Sequence, residues 1–171
     1  MQRTNIPEAP PFGLVEAIEA AGLSIGRRGG VWFASDAAAA EAIAATHDPL
    51  PAAKAARLAD LAAYRYEQEV GGVDVLGVRI DTSREARNNL TGAVVTAQLA
   101  VAAGQAFDVK WKGMDGAFVT LSAADMGSLV VAVATHVANC FARELALAGE
   151  IAALNSVADV LAFDIGASWA A

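Results

Sequence analysis

Residues 107–126 read Phe107-Asp-Val-Lys-Trp-Lys-Gly-Met-Asp-Gly-Ala-Phe-Val-Thr-Leu-Ser-Ala-Ala-Asp-Met126. Apolar and charged residues alternate over 107–112, the period of a half-buried strand. Gly113-Met114-Asp115-Gly116 supplies a turn, and 117–121 is the return strand. The period then changes. Ser122, with Asp125 three residues on, opens a helix predicted over about 123–153. At ~1.5 Å per residue that helix spans ~45 Å. A hairpin that feeds a long helix predicts an α+β fold.

The flanking sequence extends this pattern in both directions. Asn155 or Ser156 starts a short final helix, and the chain ends at Trp169 and two alanines. Before the hairpin, a helix runs from about 84 to 103 with Leu90, Val94, Ala97 and Val101 as its apolar stripe, stopped by Gly104. Thr82-Ser83-Arg84-Glu85 matches a capping box in which the Thr82 hydroxyl takes the Glu85 amide. Residues 73–80 form a tight hairpin turning at Leu76-Gly77. An Ala-rich helix precedes it, from near Pro51 to about Val70, because proline suits a first helical turn. Leu58, Leu61 and Ala62 lie on one of its faces, and Gly71-Gly72 ends it.

The first fifty residues read as a small α-β-β-α module. Residues 1–11 hold three of the five prolines and predict an extended arm. Phe12 then opens a helix to about 21, closed by Gly22. Strands at 23–26 and 31–34 flank an Arg27-Arg28-Gly29-Gly30 turn, and Ser35 caps a helix from 36 to about 46. The expected domain organisation is an arm and α-β-β-α module (1–50), a connecting helix (51–70) and an α+β domain of two β-hairpins and two long helices (71–171).

Composition narrows the function classes. The chain has 171 residues, 56% of them hydrophobic. About a quarter are alanine, so the larger apolar residues fall to about a third, ordinary for a globular protein. The mean hydropathy of +0.41 reflects that alanine. Net charge is −7 and the pI is near 4.7. Basic residues are scattered, whereas nucleic-acid binding needs a basic face that neutralises phosphates. No nucleic-acid partner is expected. The uncharged run 88–107 carries two Asn, two Thr and two Gln, too polar for a membrane span of ~20 apolar residues. The run 126–142 is uncharged but holds His136 and Asn139, so no membrane span is expected. Residues 2–12 are polar and Pro-rich, and no secretion signal is expected. One cysteine, Cys140, permits no intrachain disulfide and fits a reducing compartment.

No residue pattern specifies a reaction. His136 and Cys140, i and i+4 on one helical face, could share a metal, but structural zinc needs four ligands and catalytic zinc three. His47 is the other histidine. A packed cysteine beside a polar histidine is the simpler reading, and no cofactor or metal is expected. Cys140 lies mid-helix on an apolar face, a poor place for an activated thiolate. Glu67, Glu69, Asp74, Asp81, Asp108 and Asp115 could supply a carboxylate pair for sugar hydrolysis. Their commoner roles are capping and turns. Residues 26–30 are glycine-rich but fit neither a P-loop nor a dinucleotide fingerprint.

Two features point to protein contacts instead. In the long helix Met126, Val133, Cys140, Leu147 and Leu154 recur seven apart, with Val130, Val137 and Ile151 beside them and Glu144 as an acidic break. This heptad-like seam is either packing on the chain's own domain or a contact between copies. Trp169 either docks on the parent domain or anchors a partner, since tryptophan is enriched at interface hot spots. Contact candidates are therefore Phe12, Met126, Val133, Cys140, Leu147 and Trp169, together with the arm.

Residues 64–171 also carry an ordered set of blocks: Tyr66-Glu67-x-Glu69-Val70-Gly71-Gly72-Val73, then Gly77-Val78-Arg79-Ile80-Asp81-Thr82. Leu90-Thr91-Gly92-Ala93 and Val109-Lys110-Trp111-Lys112 follow. Asp115-Gly116-Ala117-Phe118-Val119-Thr120-Leu121, His136-Val137-x-x-Cys140-Phe141, Ile151-Ala152-Ala153 and a terminal Trp complete the set. This pattern resembles a family of uncharacterised C-terminal domains in tailed-phage and prophage tail proteins, often encoded near tail-fibre genes. The family usually has Asp after the hairpin Thr, where this chain has Ser83 with Glu85 supplying the acid. The first 50 residues resemble modules that precede this domain, mainly through Ala21-Gly22-Leu23-Ser24-Ile25 and His47-Asp48-Pro49. The resemblance brings no catalytic residues. It implies a non-enzymatic structural role at the baseplate or fibre attachment, with other tail proteins and further copies as partners. The expected location is the virion tail, assembled in the bacterial host cytoplasm. The rival expectations are a fibre-assembly chaperone not retained in the virion and a cell-envelope hydrolase.

Overall fold

A computed structural model describes residues 1–170. The chain begins β1 (Gln2–Arg3), α1 (Leu14–Ala20), β2 (Ile25–Arg28), β3 (Val31–Ala34), α2 (Ala37–Thr46) and α3 (Leu50–Val70). It continues β4 (Val73–Val75), β5 (Val78–Ile80), α4 (Arg84–Ala102), β6 (Asp108–Lys112) and β7 (Phe118–Ser122). It closes with α5 (Ala123–Ala153), α6 (Val157–Ala162) and α7 (Ile165–Ala170). The fold is α+β: seven helices among the described residues and small antiparallel sheets.

The chain divides into two compact units. One is Met1–Asp60 with Gly149–Asp164; the other is Leu61–Ala148 with the residues from Ile165 onward. The boundaries fall inside α3 and α5 and differ from the linear division at 50 and 70. Segments distant in sequence join each unit, and local periodicity carries no trace of such pairing.

In the first unit the sheet order is β1-β3-β2. The start of the arm is thus a strand, with Gln2 opposite Ala34 and Arg3 opposite Phe33. Thr4 and Ile6 are buried, so this part of the arm serves its own sheet. The β2–β3 turn is tighter than expected. Arg27 and Arg28 lie in β2, opposite Trp32 and Val31, and Gly29-Gly30 alone make the turn. Both have positive φ, 55° and 79°, as a two-residue turn of this hand requires. Asp36 rather than Ser35 caps α2, its Oδ1 accepting from the Ala39 amide at 3.0 Å. Leu14, Ile18, Ala34 and Ala40 form the core with Ile6. Lys54 donates to the Ala152 carbonyl, and Arg57 to those of Leu161 and Phe163, which ties α3 to the C-terminal segment of the same unit.

The second unit contains the two hairpins β4–β5 and β6–β7, helix α4 and most of α5. Leu76 (φ 53°) and Gly77 (φ 78°) make the first turn. The alternation of 107–112 is observed: Asp108, Lys110 and Lys112 are exposed, while Phe107, Val109 and Trp111 pack on the core. Val78, Ile80, Leu90, Leu121, Met126, Leu129 and Val133 are that core. Ser122 and Asp125 cap α5 reciprocally: the Ser122 amide donates to Asp125 Oδ2 at 2.9 Å and the Asp125 amide to Ser122 Oγ at 3.3 Å. These hydrogen bonds hold the Asp125 carboxyl below the usual carboxylate range.

Three further expectations are corrected here. Ser83, not Thr82, caps α4, accepting from the Ala86 amide at 3.3 Å. The last segment holds two short helices, with α7 following α6 and carrying Trp169. The seam residues Met126, Val133, Cys140 and Leu147 are buried within the protomer, so they are core rather than contact surface. Leu154 is half-buried.

Candidate functional site

Helix α3 ends at Val70, and the last four carbonyls of a helix lack intrahelical partners. The sequence supplies substitutes from several places. His136 of α5 places Nε2 3.1 Å from the Gln68 carbonyl and 3.3 Å from that of Glu69. The Thr82 hydroxyl, fully buried, donates to the Glu69 carbonyl and accepts from the Gly72 amide. Arg79 donates to the Gly71 carbonyl from Nε at 3.2 Å and Nη2 at 2.9 Å. Basic side chains are favourable at a helix C-terminus.

The Glu69 side chain is buried beside this cap. Arg65, one turn earlier on α3, and Arg87 of α4 both donate to its carboxylate, the latter at 2.7 Å. Arg65 Nε lies 3.3 Å from Glu144 of α5. Its guanidinium also sits 4.6 Å from the Phe141 ring centroid. Two arginines and two carboxylates thus join α3, α4 and α5.

Next to the cluster is an open cleft of about 560 Å³, lined by Gln68, His136, Asn139, Cys140, Arg143 and Trp169. Trp169 stands edge-on to Tyr64 with centroids 5.5 Å apart, and Arg143 donates to the Ser168 carbonyl. Both contacts fasten α7 to its own unit. The docking reading of Trp169 is the one observed.

The chemistry of this cleft follows from its hydrogen bonds. His136 Nε2 faces two carbonyl oxygens, so it carries the proton and donates. A donating nitrogen cannot also take a proton from Cys140, whose Sγ lies 3.9 Å away. Burial pushes the Cys140 thiol up, and the Glu69 charge pushes it further; Arg65 opposes in part. The thiolate is the nucleophile, and here the thiol form is favoured. Among the described residues no three His, Cys, Asp or Glu side chains are grouped to hold a metal. What the arrangement does is cap a helix, pair buried charge and seat α7.

Of the residues expected to make contacts, the structure brings Cys140 and Trp169 to this cleft. Met126 and Val133 lie in the core of the same unit, and Leu147 is buried. Phe12 is in the other unit, exposed, with its carbonyl on His47 Nε2. Sequence reasoning missed Arg65, Glu69, Arg87 and Arg143 as partners. Arg65 and Glu69 had a readable signal, their i,i+4 spacing on a helix. Arg87 and Arg143 had none, because their partners are remote in sequence.

No curated protein and no solved structure matches the chain. A family model does match, over residues 52–167, which takes in both long helices and both hairpins of the second unit. The chain therefore belongs to the family described as Domain of unknown function (DUF4376).

Proposed function

We propose that this chain is a non-enzymatic structural component of a bacteriophage tail, at the baseplate or the fibre attachment. It acts through contacts with neighbouring tail proteins and with further copies of itself. One observation carries the non-enzymatic part: the polar side chains gathered at the end of α3 are spent on one another and on main-chain groups. His136, Thr82 and Arg79 cap α3, and Glu69 is held by two arginines. The exposed side chains of α4 and α5, by contrast, include Val95, Leu99, Val131 and Leu145. Such surfaces mark interaction sites. The ordered blocks over 64–171 support the tail assignment by resemblance.

A fibre-assembly chaperone is the second reading, favoured by the same apolar surface, which would cover a partner's unassembled face. Deleting the coding region from a producing phage tests both. Both predict particles that lack a complete tail tip and fail to infect. Ordinary particles with ordinary infectivity would contradict both.

A further inference from the structure

Helix α5 is apolar on two sides. Met126, Val133, Cys140 and Leu147 face the core. On the other side Val131, Ala134, Ala138, Phe141 and Leu145 succeed one another at spacings of three and four. This is a second seven-residue repeat, and it faces outward. Val131 is 65% exposed, Phe141 49% and Leu145 77%. No Asp, Glu, Lys or Arg occurs between Asp125 and Arg143.

The stripe borders two grooves that α5 shares with α4 in the same unit. One, about 370 Å³, is lined by Leu90, Thr91, Val133, Ala134 and Val137, with Arg87 at its edge. The second, about 570 Å³, lies between Val94 and Val101 on α4 and Ala123 and Gly127 on α5. Ridges of large side chains thus alternate with hollows floored by alanine and glycine.

We infer that helix α5 of a second copy covers this face, in a symmetric pairing with Ala138 nearest the two-fold axis. Three observations select a second copy as the occupant. A seven-residue apolar repeat is the pattern by which two helices interlock side chains. The chain carries a net charge of −7, so an acidic face would repel its copy; no acidic side chain lies on this stripe, and the charged groups that border it, Arg65 over Phe141 and Arg87 in the groove, are basic. The area also suffices. Residues 127–145 extend ~27 Å along the helix, and α5 with α4 across the grooves presents a strip about 20 Å wide, two helix diameters of ~10 Å. Two copies would then cover about 1,000 Å², the lower bound for a specific interface. An isologous pair sets like patches together. Run antiparallel, it places Val131 of one copy beside Leu145 of the other, each seven residues from Ala138. The small side chains at 134 and 138 let the helices approach closely.

The inference deepens the structural reading by naming a partner, yet purified protein tests it independently. A monomer in solution would leave incorporation into particles undecided, and absence from particles would leave the dimer standing. Sedimentation velocity of the full chain over a concentration series is expected to give twice the 17.4 kDa chain mass. Leu145→Glu is expected to weaken association at least ~10-fold, about 1.4 kcal/mol, with unchanged helical circular dichroism. Ala138→Cys is expected to form a disulfide dimer on mild oxidation, whereas the wild-type chain does not, because Cys140 is buried. If Leu145→Glu fails to fold, the wild-type mass and the Ala138→Cys cross-link decide. A wild-type chain at 17.4 kDa throughout, with no Ala138→Cys cross-link, overturns the inference. That holds whether the monomer binds lipid vesicles, which makes the face a membrane contact, or stays free.

Discussion

Glu69→Ala lowers stability by about 3 kcal/mol, the lower end for breaking a buried ion pair from one side, because the partly buried Arg87 loses its carboxylate while Arg65 keeps Glu144. The Glu69 side chain is only 6% exposed and accepts from both Arg65 and Arg87, of which Arg65 has a second carboxylate in Glu144. Position decides this magnitude. Arg27–Glu8 and Arg79–Asp74 are ion pairs of similar appearance, but their side chains are half-exposed or more. Exposed pairs contribute about 0–1 kcal/mol. Glu8→Ala and Asp74→Ala are therefore the controls. Urea unfolding reads the effect as a fall in midpoint at unchanged slope. A Glu69→Ala loss no larger than that of the controls would contradict the assignment of Glu69 as the centre of the cluster.

Gly72→Ala is the second large effect. Gly72 has φ +89° at the junction of α3 and the first hairpin, and its amide donates to Thr82 Oγ1 at 3.0 Å. A Cβ there would lie 2.9 Å from the Ile80 carbonyl oxygen and would overlap the Met114 sulfur. Backbone strain costs about 1–3 kcal/mol, and overpacking adds about 1–3 kcal/mol. The expected total is about 2–6 kcal/mol by those two contributions. Gly77 separates them: its φ is +78°, but nothing lies within 4 Å of an added Cβ. Gly77→Ala should show the backbone cost alone. Equal losses at 72 and 77 would mean that Met114 and Ile80 yield readily.

The two effects adjoin, since Glu69, Gly72, Thr82 and His136 all serve the end of α3. This locality marks how far the sequence can be read. The change of period near Ser122 locates the β6–β7 hairpin and α5, because both patterns are local. Leu76-Gly77 is legible for the same reason. At Thr82-Ser83 the capping pattern is right in kind and displaced by one residue. Thr82 is taken by the α3 carbonyl thirteen positions earlier, which leaves the cap to Ser83. No short window contains that competition.

The heptad of α5 shows a subtler limit. Periodicity identifies an apolar row correctly, and the row is buried. But α5 is apolar around most of its circumference, and spacing alone does not say which row meets the core. Met126 through Leu147 meets it; Val131 through Leu145 does not. The linear reading of domains meets a related limit. The return of 149–164 to the N-terminal unit depends on Lys54 and Arg57 reaching carbonyls about a hundred residues away. The candidate site is legible only in part: His136, Cys140 and Trp169 stand out by type, whereas Arg87 and Arg143 acquire roles only from the fold.

Peptide mass spectrometry of density-purified particles, with a capsid protein as the copy-number reference, tests the structural role most directly. The account predicts this chain in a fixed ratio to the capsid protein, and the ratio then gives its copy number in the tail. A chain abundant in the lysate and missing from the particles would contradict it and would favour the chaperone.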